Sequence, residues 1–456
     1  MKKVEIIRSQ KRDRSYWQEI PSQPLGQYDP KRKIIAVNTH EKAQTHLGFG
    51  GAFTEAAAYT YAQTTPANQE RIIEAYFDAE QGLNYQLGRV AIHSCDFALG
   101  NYTYIEEGDT ELKTFNLGRE DQWVVPMIHA AMAKQGKPLQ MLASPWSPPA
   151  FMKTTKEMNY GGELLPEFAA VWAQYYVKFI AAMAERHIPI WGVSIQNEPQ
   201  ALQCWDSCLY TAEQERDFIK NHLGPMLQAS SYPETAIVIW DHNRDILVER
   251  AAVVLSDPEA AQYVWGTGNH WYLSEDFNQL ATLHHMFPDK HLLFTEGCVE
   301  LTTTAEGAED TNYIGSWENG QRYGRNIIGD FNNWSEGWID WNLLLNEEGG
   351  PNHVSNFCEA PIMLDRQTDT LMFNPSYYVI GHFSRYLQRG AVGVKNTHTV
   401  GNHFHVTSFE NPDGTIVCVV QNEGWIEEVA LVINGQGLNV TVPDNSILTI
   451  IVPPVS

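Results

Sequence analysis

The sequence contains few cysteines, no long apolar run and little positive charge, and each absence excludes a class of protein. Its six cysteines form no Cys-x-x-Cys pair, a pattern typical of free thiols in a reducing compartment rather than of a disulfide framework. No run of about 20 apolar residues is present, and residues 1–14 are too polar for a signal peptide. We therefore expect a cytoplasmic protein without stable membrane insertion.

Positive charge is scarce: lysine and arginine number 31 against 55 aspartates and glutamates, a formal net charge of −24. A surface of this sign repels phosphate backbones, so nucleic acid is not an expected partner. The 16 histidines include no His-Glu-x-x-His motif. The Gly-Phe-Gly-Gly run at 48–51 lacks both the dinucleotide spacing and the Gly-Lys-Ser/Thr ending of a phosphate loop. We expect neither a metal nor another cofactor.

What the sequence does contain is an alternation of short apolar runs with helical patterns, repeated eight times. Alternating strands and helices predict a parallel sheet, and eight repeats predict that the sheet closes into a (β/α)8 barrel. We place this barrel at residues 46–388. The apolar runs centre on residues 48–49, 89–92, 140–143, 192–195, 237–240, 266–269, 292–294 and 338–341.

A different pattern begins near residue 389, where short β-rich runs follow one another. The turn sequences Asn-Pro-Asp-Gly at 411–414 and Asn-Gly at 434–435 separate them, as between antiparallel strands. Residues 389–456 therefore predict an all-β sandwich, which strands from the N-terminal segment 1–45 are expected to complete. The runs lie at 4–7, 33–37, 403–407, 415–420, 429–433 and 447–452.

Two glutamates close apolar strand-like runs, and a helix breaker follows each of them. Glu198 ends the fourth run and precedes Pro199, which disfavours helical backbone and predicts that Glu198 stays extended. Glu296 ends the seventh run, before Gly297. A carboxylate at the carboxyl tip of a barrel strand points into the mouth where such barrels do chemistry. Two of them predict acid–base and nucleophilic work on a glycosidic bond.

Other polar and aromatic residues follow the strand-like runs at the same end of the predicted barrel. Arg89 is a cation within an apolar run and needs an acidic partner, either in a structural ion pair or beside Glu296, where it would keep that carboxylate ionised. Asp96 either caps a loop or accepts hydrogen bonds from sugar hydroxyls. Trp146 and Trp271 belong to a group of aromatic residues that either pack the rim or line a pocket, and their clustering favours lining.

At these residues the chain resembles glycoside hydrolase family 30, and within it the glucosylceramidase branch. The likeness spans the whole predicted barrel, and the stretch Trp-Asn-Leu-Leu-Leu-Asn-Glu-Glu-Gly-Gly-Pro-Asn at 341–352 is very specific. The matching segments are 48–58, 89–104, 143–153, 197–199, 216–219, 270–272, 296–298, 337–365 and 378–384.

The resemblance implies a retaining β-glycosidase with a β-sandwich beside the barrel. Glu198 matches the family's acid/base and Glu296 its nucleophile. Arg89 and Tyr272 occupy positions that support the nucleophile. The residues that fall where the family binds the terminal glucose are Asp96, Trp146, Asn197, Trp341 and Asn356. The implied substrate is a small β-glucoside or an oligosaccharide, with glucosylceramide as one candidate, while no oligomeric state is indicated.

Retention requires carboxyl groups about 5–5.5 Å apart, whereas inversion requires about 6.5–9.5 Å. We expect Arg89 to lower the pKa of Glu296 and nearby negative charge to raise the pKa of Glu198, so that one acid is ionised while the other carries a proton. The alternatives are β-xylosidase, β-fucosidase or β-1,6-glucanase activity on the same scaffold, which contacts of Asp96 with the sugar's C4 and C6 groups would separate. A sugar-binding protein without catalysis is a further alternative, although both glutamates are present.

Overall fold

A closed barrel of eight parallel strands forms the centre of the computed structural model, which describes residues 3–22, 24–301 and 313–454. Each of the eight predicted apolar runs overlaps one of these strands, which confirms the (β/α)8 barrel. In chain order the strands are Gly48–Ala52, Leu87–Ile92, Gln140–Pro145, Ile190–Ser194, Ala236–Asn243, Val264–His270, His291–Glu296 and Gly337–Asn342. We refer to them as the first to the eighth barrel strand.

Helices cover the outside of the barrel, and their ends follow the local sequence. Proline at the first helical position begins Pro66–Phe77. A capping box begins Ala212–Phe218, since Thr211 and Gln214 each accept with the side chain from the other's backbone N–H. Proline also begins Pro375–Ser384. The α-helices are Glu55–Gln63, Pro66–Phe77, Val124–Gln135, Ala169–Glu185, Ala212–Phe218, Gly224–Ala229, Leu247–Leu255, Pro258–Ala261, Asn278–Met286, Trp317–Phe331 and Pro375–Ser384.

The barrel interior divides into an apolar floor and a polar mouth. The buried side chains of the floor are Leu87, Leu142, Val238, Leu293 and Ile339. Arg89 lies two residues beyond Leu87 on the second strand, so both point inward and Arg89 is nearer the carboxyl end. Ser144 and Leu142 are related in the same way on the third strand. The inward-facing positions therefore become polar where the strands end.

Strands from both ends of the chain form the sandwich. In hydrogen-bonded order they are Ser15–Ile20, Glu5–Gln10, Ser446–Val452, Ile416–Asn422, Phe404–Glu410, Val392–His398, Lys33–Thr45, Glu427–Ile433 and Gln436–Val442. Ile6 and Leu438, from opposite ends of this order, share one apolar core, so the sheet folds over on itself. The N-terminal strands join the C-terminal ones as predicted. Three strands, 15–20, 392–398 and 436–442, were not predicted.

Short strands in the loops after the seventh and eighth barrel strands add two small sheets. Val299–Glu300 pairs antiparallel with Cys358–Glu359. Leu344–Asn346, Ile362–Asp365 and Thr370–Phe373 form the other sheet. Across the described ranges, none of the helices is both long and apolar enough to cross a membrane.

Candidate active site

Glu198 lies in the loop beyond the fourth barrel strand, which ends at Ser194. Its backbone φ is +50°, in the left-handed region, so the prediction of an extended residue is wrong. Pro199 disfavours right-handed helical backbone at Glu198 but does not impose an extended one. The Glu198 N–H donates to the Asp241 carbonyl oxygen at 3.0 Å, which holds this loop against the fifth strand. A non-glycine residue in this conformation is strained, and such residues cluster at active sites.

Glu296 ends the seventh strand, and its side chain is held from two directions. The Tyr272 hydroxyl donates to Oε1 at 2.8 Å, and the Arg89 guanidinium donates to Oε2. The carboxylate is 5% exposed, so these donors replace the water that it has lost. The orientation of Glu296 is therefore fixed before any substrate enters.

Arg89 links several groups at the mouth of the barrel. One guanidinium nitrogen donates to Asn197 Oδ1 and to Asp241 Oδ2, each at 2.8 Å, and Nε donates to Ser144 Oγ at 3.2 Å. The guanidinium carbon also lies 4.9 Å from the centre of the Trp146 ring. Arg89 is fully buried, and its two carboxylate partners compensate the cost of removing its charge from water.

A cavity of about 550 Å³ opens at this mouth. Trp146 and Trp341 line it, and their rings stack at 5.3 Å between centres. Asn356 donates to Asp96 Oδ2 at 2.9 Å, while the buried Oδ1 of Asp96 has no hydrogen-bond partner. The site residues predicted from the sequence that line the cavity are Asp96, Trp146, Asn197, Glu198, Tyr272, Glu296, Trp341 and Asn356. The volume and the polar groups suit one sugar ring and part of what it is attached to.

The two glutamates face each other across this cavity. A ligand atom from each of Glu198, His270 and Glu296 lies within 4.8 Å of the other two. His270 Nδ1 lies 3.2 Å from Glu198 Oε1, and its Nε2 lies 3.0 Å from Asp241 Oδ1. Two carboxyl groups therefore lie at the mouth of the barrel, at a separation that suits a sugar ring. A cation holds one of them, and a histidine lies beside the other.

The family model described as the glycosyl hydrolase family 30 TIM-barrel domain matches residues 46–387, and the family 30 beta sandwich domain matches residues 390–450. The chain belongs to glycoside hydrolase family 30. It is therefore a glycoside hydrolase, and the wide mouth of its barrel is where that chemistry belongs.

Individual relatives agree with this family assignment. The chain is 36% identical over 421 residues to the lysosomal acid glucosylceramidase of Mus musculus, covering 89% of this chain and 80% of the relative. It is 28% identical over 441 residues to the endo-1,6-beta-D-glucanase neg1 of Aspergillus fumigatus, covering 90% and 85%. The crystal structure of SrfJ from Salmonella typhimurium is similar at a TM-score of 0.93 and 35% identity, over 100% of both chains.

Two residues of the family 30 site, Asp241 and His270, were not predicted from the sequence. The register of the fifth strand shifts between Trp240 and His242, and Trp240 and Asp241 both have positive φ. A bulge of this kind reverses the alternation of side chains. Asp241 therefore points into the barrel, although regular alternation along the strand would point it outward. His270 directly precedes two aromatic residues, Trp271 and Tyr272, and no motif in the sequence marks its imidazole as a site residue.

The charges around the two glutamates determine their acidity, and the result differs from the prediction. Burial raises the pKa of Glu296, and the nearby His270 and Arg89 charges do not overcome it. Burial acts in the same direction on Glu198, but His242 and His270 outweigh it and lower the pKa of Glu198. The expectation that Arg89 lowers the pKa of Glu296 while nearby negative charge raises the pKa of Glu198 was wrong in both directions, because the sequence did not show how deeply Glu296 is buried or that two histidines lie beside Glu198.

His270 itself is held as a cation. Burial opposes its charge, but the Glu296, Asp241 and Glu198 carboxylates raise the pKa of His270 to about 9. Arg89 and His270 hold the pKa of Asp241 well below its usual range although burial acts the other way. Glu198, His270 and Glu296 each bring a possible ligand atom within 4.8 Å of the other two. The ring nitrogens of His270 lie within hydrogen-bond distance of Glu198 and of Asp241, so the imidazole links these two acids in one proton network.

Trp271 lies away from the cavity, contrary to the prediction that it lines the pocket. Its ring packs edge-on against Tyr323 at 4.7 Å and Trp338 at 5.7 Å, and is 2% exposed. Its indole N–H donates to the Cys298 carbonyl oxygen at 3.0 Å. Trp271 therefore packs against the end of the seventh strand on the side away from the cavity. Cavity residues that the sequence analysis did not name include Gln200, Gln203, Trp205, His242, Asn243, Asp245, Leu273, Cys298 and Cys358.

Proposed function

We propose that this family 30 hydrolase is a retaining β-glycosidase that releases terminal β-D-glucosyl residues by double displacement. One observation carries the proposal: atoms of Glu198 and Glu296 approach within 4.8 Å. This separation is nearer the about 5–5.5 Å of retaining enzymes than the about 6.5–9.5 Å of inverting ones. Because so short a gap leaves little room for a water molecule behind the sugar, a carboxylate has to attack the anomeric carbon directly.

The surroundings of the two glutamates indicate their roles. Glu296 is held by Arg89 and Tyr272 in one orientation, as a nucleophile has to be. It attacks the anomeric carbon, and the bond to the glycosidic oxygen breaks as Glu198 gives its proton to that oxygen. In the second step Glu198 takes a proton from water, whose oxygen attacks the glucosyl ester and releases Glu296.

The proposed reaction needs Glu296 ionised and Glu198 protonated when the substrate is bound. In the protein by itself, burial raises the pKa of Glu296, while His242 and His270 lower the pKa of Glu198, which is the opposite order. Positive charge that develops on the sugar ring next to Glu296 favours its ionised form. Glu198 then has to carry the proton for the leaving oxygen, against the adjacent His270 charge, which lowers the pKa of Glu198 in the protein by itself.

The sugar side of the cavity supports a glucosyl unit. Asn197 accepts from Arg89 with its carbonyl oxygen, which leaves its amide N–H₂ to donate to the sugar, and a 2-hydroxyl contact of this kind strengthens in the transition state. The unpartnered Oδ1 of Asp96 is available to accept a hydroxyl hydrogen bond. The stacked Trp146 and Trp341 rings provide an apolar wall for the ring face.

A β-1,6-glucanase is the second candidate, since relatives named for glucosylceramide and for β-1,6-glucan hydrolysis both match over most of the chain. A panel of aryl β-glucosides, β-xylosides and β-fucosides, with glucosylceramide and β-1,6-glucan, would separate these activities. Turnover of the small glucosides and not of the polymer supports the proposal. Absence of turnover on every β-glycoside would leave a sugar-binding protein.

Azide rescue tests the two roles directly. Glu296→Gly should lose turnover of 2,4-dinitrophenyl β-D-glucoside, and added azide should restore it by entering from the nucleophile's side, giving the α-glucosyl azide. Glu198→Gly should give the β-glucosyl azide, because azide then attacks the glucosyl-enzyme from the opposite face. Product anomers read by NMR decide the matter, and the opposite pair of anomers would reverse the two assignments.

A further inference from the structure

Two free cysteines line the sugar cavity without a part in the proposed reaction. Cys298 follows Glu296 by two residues, and Cys358 follows Asn356 by two residues. Both are buried, at 3% and 2% exposure, and both are unpaired. Cys204 is also unpaired, but it is exposed on the surface.

Strand pairing brings the two thiols together. Val299–Glu300 and Cys358–Glu359 run antiparallel with Glu300 opposite Cys358, so Cys298 lies on the same face and diagonal to Cys358. Both side chains also line the same cavity. The pairing joins the loop of the seventh barrel strand to the loop of the eighth.

Each thiol also touches one half of the sugar site. Cys298 Sγ lies 3.5 Å from the Tyr272 hydroxyl, which donates to Glu296. Cys358 Sγ lies 3.9 Å from the carbonyl oxygen of Asn356, whose side chain donates to Asp96. A change in the distance between the two sulfurs would therefore displace the groups that hold the nucleophile Glu296 and the groups that hold Asp96, which faces the sugar hydroxyls.

We propose that Cys298 and Cys358 form an oxidation site, in which an intrachain disulfide reversibly shuts off the sugar cavity. Both S–H bonds break, one S–S bond forms, and two protons and two electrons pass to a small oxidant such as a diazene or a low-molecular-weight disulfide. The diazene becomes a hydrazine, and the low-molecular-weight disulfide becomes two thiols.

The geometry of a disulfide explains the loss of activity. Diagonal neighbours in an antiparallel pair are typically about 7–8 Å apart at Cα, whereas a disulfide spans about 4.4–6.8 Å. Closing the bond therefore draws the two loops together and displaces Tyr272 and Asn356 from their partners. Displacements of about 1 Å in positioned groups can cost roughly 10²-fold in rate. The strain also makes the disulfide easy to reduce, so the change is reversible.

Burial sets the expected rate of oxidation. Burial raises the pKa of the Cys298 thiol, and the Cys358 thiol raises it further. The thiolate is the reacting form, so oxidation should be slow at neutral pH and accelerate as pH rises. Because both thiols line an open cavity, small oxidants can reach them.

The test treats the intact protein with diamide at pH 7 and pH 9, then maps disulfides by mass spectrometry of unreduced peptides. We expect a peptide pair joined through Cys298 and Cys358, forming faster at pH 9, and a loss of about 10²-fold in activity on an aryl β-glucoside that dithiothreitol restores. Failure of this pair to form under conditions that fully modify Cys204 would overturn the proposal. So would a fully formed disulfide with unchanged activity.

Variants connect the chemistry to the activity. The ratio of treated to untreated activity should be near one in Cys358→Ala and in Cys298→Ala, and should fall as in the natural protein in Cys204→Ser, the matched surface control. A loss in Cys358→Ala equal to that of the natural protein would contradict the proposal. The activity readout depends on the proposed glucosidase function, but the mapped disulfide does not, so failure of one is distinguishable from failure of the other.

Discussion

Two sets among the buried carboxylates of the described residues differ in their surroundings, one at the mouth of the barrel and one outside its strands. Asp241 and Glu296 face Arg89, which donates to both. Glu120, in the helical layer outside the strands, accepts hydrogen bonds from two tyrosine hydroxyls at 2.5 and 2.8 Å. All three carboxylates are almost completely excluded from solvent, so burial does not distinguish the two groups.

The two sets of carboxylates differ in the volume of the cavity beside them and in the charges near them. Burial raises the pKa of Glu120 to about 7 although the tyrosine hydroxyls oppose it, and it raises the pKa of Glu296 as well. Glu296 borders a cavity of about 550 Å³, while the space beside Glu120 is about 10 Å³. A perturbed acidity indicates a functional site only where a charged partner and room for a ligand accompany it.

The largest effect should follow from removing the proton that Glu198 supplies. Glu198→Gln should lower the turnover of an alkyl β-glucoside by about 10²–10⁴-fold, the usual contribution of a positioned general acid. Formation of the glucosyl-enzyme from 2,4-dinitrophenyl β-glucoside should fall far less, because that leaving group needs no proton. Pre-steady-state kinetics on both substrates measure the difference. An equal loss on both would place Glu198 outside proton transfer.

Replacing the cation should impair both stability and activity at the mouth. Arg89→Met leaves Asp241 and Glu296 buried without the cation that donates to both, so we expect a loss of about 3–5 kcal/mol in unfolding free energy and about 10²–10³-fold in kcat. Chemical denaturation and steady-state kinetics measure the two quantities.

Arg244→Met is the matched control for Arg89→Met. Arg244 is equally buried, donates to Asp330 at 3.0 Å, and packs against the Phe277 ring away from the cavity. It should lose comparable stability while its folded fraction keeps its kcat. A similar fall in kcat in both variants would mean that the Arg89 effect is structural.

The sequence predicted the barrel well because buried parallel strands are continuous apolar runs, and all eight were found. It missed strands such as Ser15–Ile20 and Val392–His398, whose partly exposed residues lack such a run. The boundaries between the domains, and the cytoplasmic location, stay predictions.

The site was predicted where a charged residue ends or interrupts an apolar run, as with Arg89 and Glu296. It was missed where backbone geometry sets the direction of a side chain. The bulge that points Asp241 inward is not evident from its neighbours. Trp271 follows His270 directly, so the two side chains leave the backbone on opposite faces, and only His270 reaches the network.

An intermediate effect should come from the hydroxyl-binding side of the cavity. Asp96→Ala removes the unpartnered oxygen that is offered to the sugar, so kcat/KM on a β-glucoside should fall about 10–100-fold, because a buried hydroxyl left without its acceptor costs about 1–3 kcal/mol. A β-xyloside, which lacks the 6-hydroxymethyl group, should lose far less. Asn356→Ala, which frees Asp96 from its donor and removes one amide from the cavity lining, should fall between the natural protein and Asp96→Ala. Equal losses on both sugars would favour a xylosidase-like pocket.

The smallest effect on activity should come from the second carboxylate group. Glu120→Gln keeps an acceptor for both tyrosines, so activity should change less than about twofold, as for substitutions away from a site. Its effect on stability should depend on pH. The natural protein's Glu120 has a pKa of about 7 when folded and near 4.5 when exposed. The folded state therefore holds this proton more tightly, and the stabilisation present below pH 4.5 is lost as pH rises through 7.

Between pH 4.5 and 8.5 this titration amounts to about 3 kcal/mol, at 1.36 kcal/mol per pKa unit. Thermal unfolding of Glu120→Gln and the natural protein should therefore diverge in favour of the variant as pH increases. Glu106→Gln, a substitution at an exposed glutamate, should show no such trend. A fall in activity of more than tenfold in Glu120→Gln at every pH would mean that a cation and a cavity are not what separates a functional carboxylate from a structural one in this barrel.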